Sequence, residues 1–157
     1  GNFAVIVRAY AYIIRLGKEG LTKVSEHAVL NANYIMEKLK PYYHLPYRRR
    51  CMHECVFSAK NQVKNNVRAI DIAKALIDEN IHPPTVYFPL IVKEALMIEP
   101  TETESKETLD CFIEVMIQIA ERCEKDPEAL KQAPKTMPVS RLDEVKAVKD
   151  MNFQYKE

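Results

Sequence analysis

With three glycines in 157 residues, the chain has little from which to build a phosphate cradle. Gly-rich phosphate loops and dinucleotide fingerprints need tight backbone turns and close approach to the ligand, and neither pattern occurs. A nucleophile elbow and a metal-binding His pair are also absent. No lysine has the surroundings of a buried Schiff-base residue. Charge of one sign is lacking too: 23 Lys+Arg against 22 Asp+Glu leave a formal net charge of +1. That balance gives no electrostatic reason to expect nucleic acid or a membrane surface as partner. The longest apolar run, residues 3–14, falls well short of the ~20 residues a membrane span needs. It also lacks the basic leader and small-residue cleavage site of a secretory signal. There is no internal repeat and no low-complexity segment.

Cysteine is sparse: Cys51, Cys55, Cys111 and Cys123. On a strand, Cys51, His53 and Cys55 would share one face, because side chains alternate with period two. No second ligand pair stands at zinc spacing, so no metal site is expected. Reduced, packing cysteines in a reducing cytoplasm are the expectation.

What is present starts with an imbalance. At 47% hydrophobic and 29% charged, the composition is that of an ordinary globular protein. Yet Arg8 is the only charged side chain in residues 3–14, and a helix apolar all round expects protein on every side. The remaining chain looks too short to surround it, so the sequence reads as part of something larger. The periodicity predicts helices over 2–16, stopped by Gly17, and over 20–40, ended by Pro41, with Leu21, Val24, Ala28, Ile35 and Leu39 on one stripe. A strand over 51–58, a polar loop over 60–66 and a helix over 67–80 follow, the last with Ile70, Ala73, Leu76 and Ile77 inward. Strands over 85–90 and 95–99 make an antiparallel hairpin. Thr103 or Ser105 then caps a long helix whose buried stripe is Leu109, Phe112, Ile113, Met116, Ala120 and Cys123. A short helix over 142–149 and a loose tail complete the chain. The fold class is α+β: a three-stranded sheet with helices on one face over 41–157, preceded by two connector helices over 1–40.

Three segments carry candidate chemistry, each with a plainer reading. His53 and Glu54 are neighbours, so on a strand they face opposite ways; His53 then reads as a core histidine and Glu54 as an edge carboxylate. His82-Pro83-Pro84-Thr85 has restricted backbone. It is either a rigid turn or a stiff wall presenting His82 or Thr85 to a small ligand. Glu99, Thr101, Glu102, Thr103 and Glu104 crowd the exit of a strand. Acids in a first helical turn complement the macrodipole, which accounts for Glu104 and Glu107 but less well for Glu99 and Glu102. Arg48, Arg49 and Arg50 read as a solvated run, or as a phosphate or interface contact.

Several of these stretches, with others, carry a family resemblance. Asn2-Phe-Ala-Val-Ile-Val-Arg-Ala-Tyr, Val24-Ser-Glu-His-Ala-Val-Leu-Asn-Ala-Asn-Tyr, Cys51-Met-His-Glu, His82-Pro-Pro-Thr-Val-Tyr-Phe-Pro-Leu-Ile-Val and Glu99-Pro-Thr-Glu-Thr-Glu-Ser-Lys-Glu-Thr-Leu-Asp resemble the carboxy-terminal part of the glycine dehydrogenase (decarboxylating) family. This is the P-protein of the glycine cleavage system, in its two-subunit prokaryotic form, and the likeness is to subunit 2. The resemblance implies the small carboxy-terminal domain of an aspartate-aminotransferase-like, fold-type I enzyme. Its cofactor is pyridoxal phosphate, held by a Schiff-base lysine upstream of this chain. It further implies a cytoplasmic oxidoreductase that decarboxylates glycine and passes the aminomethyl group to the lipoyl arm of the H-protein. The partners implied are the large domain of the same polypeptide, subunit 1, lipoylated H-protein and glycine. The motifs that end near the cleft in this family would give His53, Thr85, Glu99, Thr101 and Glu102 pocket-lining roles, with no complete catalytic set and no activity in the chain alone. Two other readings stay open: a free-standing α+β module that binds a small amine, and the small domain of another pyridoxal-phosphate family.

Overall fold

A computed structural model describes residues 1–152 and residue 154. Helix α1 spans Phe3–Leu39, capped by Asn2, whose side chain accepts from the Val5 amide at 3.3 Å. It is broken at Gly17, where φ 64° and ψ −176° are open almost only to glycine. Two helical segments therefore meet there, as the sequence predicts. The second segment turns Ala32, Ile35, Met36 and Leu39 into the core, with Leu21, Val24 and Ala28 half-buried above them.

Beyond α1 come β1 (Cys55–Ser58), a 3₁₀ turn (Gln62–Asn65), α2 (Ala69–Asp78), β2 (Thr85–Val86) and β3 (Ala95–Ile98). Then follow α3 (Lys106–Lys125), α4 (Pro127–Lys131) and α5 (Glu144–Lys149). The strands form one antiparallel sheet in the order β1-β3-β2, with Cys55 opposite Ile98, Phe57 opposite Leu96 and Thr85 opposite Met97. Alternation puts Cys55, Phe57, Val86, Leu96 and Ile98 on one face. These residues join Ile35, Leu39, Ile72, Leu76, Ile113 and Met116 in a single core. Tyr43 meets Phe57 edge-on within it and donates to the Met116 carbonyl at 2.8 Å. The expected class, a small α+β domain with a three-stranded sheet, is the class observed.

Several expectations need correction. The strand predicted over 51–58 starts only at Cys55, because the Asn33 side chain takes the pairing groups of Cys51: it donates to the Cys51 carbonyl at 2.8 Å and accepts its amide at 3.2 Å. The strand predicted over 85–90 ends at Val86, where Tyr87 adopts φ 59° and turns the chain out of the ladder. On α2 the buried residues are Ala69, Asp71, Ile72, Ala73, Ala75 and Leu76, so Ala73 and Leu76 point inward as expected while Ile70 and Ile77 are only half-buried. The helix is rotated because Asp71 faces inward: it accepts from the Arg68 amide at 2.8 Å and pairs with Arg141 at 2.7 Å. For α3, Ser105 is the cap; Phe112 packs against the core only half-buried, and Ile119 is a further buried residue of the stripe.

The chain beyond α4 is strapped down. Asp78 accepts from the amides of Lys135 (2.7 Å) and Thr136 (2.8 Å) and from the Thr136 hydroxyl (2.7 Å). Arg141 donates to the carbonyls of Ala133 and Leu130. The loose tail expected at the end falls in part on residues 153 and 155–157, which lie outside the described residues. At the other end nothing among the described residues covers the first segment of α1: Phe3 is 80% exposed and Ile14 61%, with Ile6, Tyr10 and Ile13 exposed between them. Among the described residues no helix is long and apolar enough to cross a membrane.

Candidate functional site

Two loops leave the same end of the sheet. One enters β1 through Cys51–Glu54 and the other leaves β3 through Glu99. One register step beyond the Cys55–Ile98 pair would set Glu54 opposite Glu99. His53 sits between the two carboxylates, its Nε2 3.9 Å from Glu54 Oε2 and 3.8 Å from Glu99 Oε1. The imidazole is exposed, not a core residue, and it reaches its sequence neighbour despite the alternation argument. Both corrections have one cause: alternation applies only inside a strand, and residues 51–54 lie outside β1.

Helix α1 holds both loops. Asn33 ties down Cys51 as described, while Asn31 Nδ2 donates to the Thr101 carbonyl at 2.9 Å. The Thr101 and Thr103 hydroxyls bond each other at 2.7 Å, closing the turn ahead of Ser105. Helix α3 is fastened to α1 by Tyr34, whose hydroxyl donates to Asp110 at 2.6 Å. Bonds from Lys106 and Tyr34 hold the Asp110 carboxyl below its ordinary pKa. Burial raises the pKa of the half-buried Cys51 thiol.

Beside the Glu99 exit runs a groove of about 710 Å³, between β2, β3 and the first turns of α3. Met97, Ile98, Leu109 and Phe112 give it an apolar floor, and His82-Pro83-Pro84 forms one wall. Its acidic side chains are Glu79, Glu99 and Glu104, so it favours a cation such as an ammonium group at the rim and an aliphatic body below. Of the residues expected at a pocket, Thr85 and Glu99 line this groove. His53 stands next to Glu99 without lining it. Thr101 is exposed and Glu102 half-buried in the following turn, and neither lines it. Sequence reasoning missed Glu79, Thr108 and Cys111 in the lining and the two asparagines beneath the loops. The asparagines did leave a signal, since Asn is a poor choice for a helix interior unless its amide has a partner. No group of three or more His, Cys, Asp or Glu among the described residues is arranged to hold a metal ion.

Comparison with known proteins adds a second line of evidence. Residues 24–141 match the model of the family described as glycine dehydrogenase, C-terminal domain. The probable glycine dehydrogenase (decarboxylating) subunit 2 of Bacillus velezensis is 58% identical over 155 residues, which is 99% of this chain and 32% of that relative. The same-named protein of Lysinibacillus sphaericus is also 58% identical, with the same coverage. That of Caldanaerobacter subterraneus subsp. tengcongensis is 57% identical over 96% of this chain and 31% of its own length. The chain spans about a third of the length of the curated relatives it matches.

Proposed function

The chain belongs to the glycine dehydrogenase C-terminal domain family, and from that membership we propose that it serves as the carboxy-terminal part of subunit 2 of a pyridoxal-phosphate-dependent glycine decarboxylase. One observation carries the reading: 58% identity over 99% of the chain to a protein named as that subunit. In this reading the domain is the small domain of a fold-type I enzyme. Residues 1–40 connect it to the large domain of the same polypeptide, against which the apolar face of 3–14 packs. Subunit 1, lipoylated H-protein and glycine are the remaining partners. The four free cysteines suit a reducing cytoplasm.

The groove beside Glu99 does not fit the cofactor itself. Pyridoxal phosphate needs a lysine for its Schiff base and donors for its phosphate, whereas this lining holds three glutamates and neither lysine nor arginine. The cofactor therefore belongs to the rest of the protein. What the chain would contribute is a wall. Glu99, with His53 beside it, would orient the ammonium group of glycine or line the path of the lipoyl arm. Thr85 supplies a hydroxyl on the same wall. Thr101 and Glu102 would act one turn further on, at the edge that closes over the substrate.

Glycine–bicarbonate exchange tests this. The chain alone, given pyridoxal phosphate, should show none, and the full-length subunit 2 assembled with subunit 1 should exchange. In that assembly Glu99→Gln and Thr85→Val should each lower exchange by about tenfold or more. Full exchange in both variants would remove the groove from the pocket, and exchange by the chain alone would reject the reading.

A further inference from the structure

The net charge of +1 conceals a separation of sign. Segments 44–50, 58–68 and 87–94 hold seven of the 23 lysines and arginines (Arg48, Arg49, Arg50, Lys60, Lys64, Arg68 and Lys93) and one of the 22 acids, Glu94. These segments meet around a second groove of about 780 Å³, lined among others by Tyr47, Lys60, Val63, Tyr87, Ile91 and Lys93. It shares no lining residue with the groove beside Glu99.

The single acid is already committed. Glu94 Oε1 accepts from Arg68 Nε and a terminal guanidinium nitrogen at 3.2 Å each, and Oε2 accepts from the Ala69 amide at 2.8 Å. Arg68 lies 5.8 Å over the Tyr87 ring, which fixes that wall. None of the salt bridges among the described residues takes up Lys60, Lys93 or the three consecutive arginines. The loop between is held in an uncommon shape: Tyr87 at φ 59° and Glu94 at φ 53° are both left-handed without being glycine. Such residues are strained and persist where the surroundings enforce them. What they hold out is apolar, with Leu90 85% and Ile91 80% exposed.

We propose that this groove binds an acidic protein segment, an extended run of Asp or Glu with a bulky apolar side chain seated between Tyr47, Tyr87 and Ile91. Tyrosine, isoleucine and arginine around a concave apolar floor, with cations at the rim, are the make-up of an interface hot spot facing a negative partner. A nucleic acid fits less well, because Arg68 occupies the stacking face of Tyr87. An anionic membrane fits less well, because Lys60, Val63 and Lys93 line a concavity whereas a bilayer engages a protruding face. The claim does not depend on the proposed decarboxylase role.

The test uses a fluorescein-labelled twelve-residue peptide alternating Glu with Leu and Phe, titrated into the chain and followed by anisotropy. Saturable binding with a Kd on the order of 10 µM is expected. Joint Lys60→Glu and Lys93→Glu should weaken it about tenfold or more, and Ile91→Ser about threefold. Lys125→Glu, outside the groove, should leave it unchanged. Should a variant lose its folding transition, amide chemical shifts in the unaltered chain take its place: the peptide should move residues 60, 91 and 93, and shifts confined elsewhere would overturn the proposal. Equal binding of a peptide with Ser in place of Leu and Phe would reduce the site to bare charge and overturn it. So would tighter binding of a twelve-nucleotide RNA or of phosphatidylserine vesicles with the same sensitivity to the variants.

Discussion

Asn31 and Asn33 each lend a side-chain amide to a loop far from them in sequence. Asn33 matters more, since it exchanges two bonds with Cys51 as a strand neighbour would. Asn33→Ala should cost about 1–2 kcal/mol in a urea melt, the usual penalty for stranding partly buried backbone groups. It should also shift the amide resonances of 51–54; a loss of stability with those resonances unmoved would deny the asparagine its hold on the His53 loop. Thiol chemistry gives another residue-level test. Burial raises the thiol pKa of Cys55 well above the ordinary range and pushes that of Cys123 up to about 12, while Cys111 is exposed at the groove. A disulfide reagent at neutral pH should label Cys111 first and Cys51 more slowly. Cys55 and Cys123 should react only in denaturant. Fast labelling of Cys55 in the folded chain would contradict its place in the core.

At the scale of elements, α2 is fixed at both ends by carboxylates. Its far end depends on pH through Asp78. Partial desolvation pulls that carboxyl up, but the bonds from Thr136 and Lys135 outweigh it and leave the pKa lowered. A carboxyl with a depressed folded-state pKa adds stability above its unfolded value near ~4, and that stability is lost as pH falls through the folded value. Below about pH 4, therefore, the strap at 135–136 should leave α2 before the core melts. Amide exchange at those residues should accelerate with acid, and Asp78→Ala should make it fast at every pH. The elements also show what sequence could reveal. The break at Gly17, a cap at Thr103 or Ser105 and most of the α3 stripe were legible, because caps, glycine and helical period are local signals. Strand lengths were not. Asn33 and the left-handed Tyr87 stop β1 and β2 early, and both effects come from contacts or backbone shape that period-two patterning does not encode. The misplacement of His53 followed from extending that period past the strand. Glu99 and Thr85 were identified because they adjoin a strand end and a proline wall, whereas Glu79 and Thr108 join the groove only through tertiary packing.

For the whole molecule, the exposed stripe of Ile6, Tyr10 and Ile13 is too apolar to remain in water without consequence. The chain alone should self-associate in a concentration-dependent way, as sedimentation equilibrium would show. Ile6→Lys with Ile13→Lys should abolish association and leave the melting temperature within about 2 °C, because neither side chain touches the core. A large drop in stability would mean that the segment packs on its own domain. The same stripe underlies the proposed contact with a large domain, so full-length subunit 2 carrying these two changes should lose stability where the chain alone does not.

Arg141 gives the order of events a direction. Its guanidinium is the counter-charge for Asp71, which is only 5% exposed, yet it lies 70 positions later in the chain. During synthesis α2 emerges first and must wait, its carboxylate hydrated, until the arginine follows. A protease cut anywhere across 134–140 would remove that anchor at a cost of about 1–3 kcal/mol. Quality-control machinery that trims unfinished chains would then meet a domain whose buried carboxylate is locked only by a residue made 70 positions later.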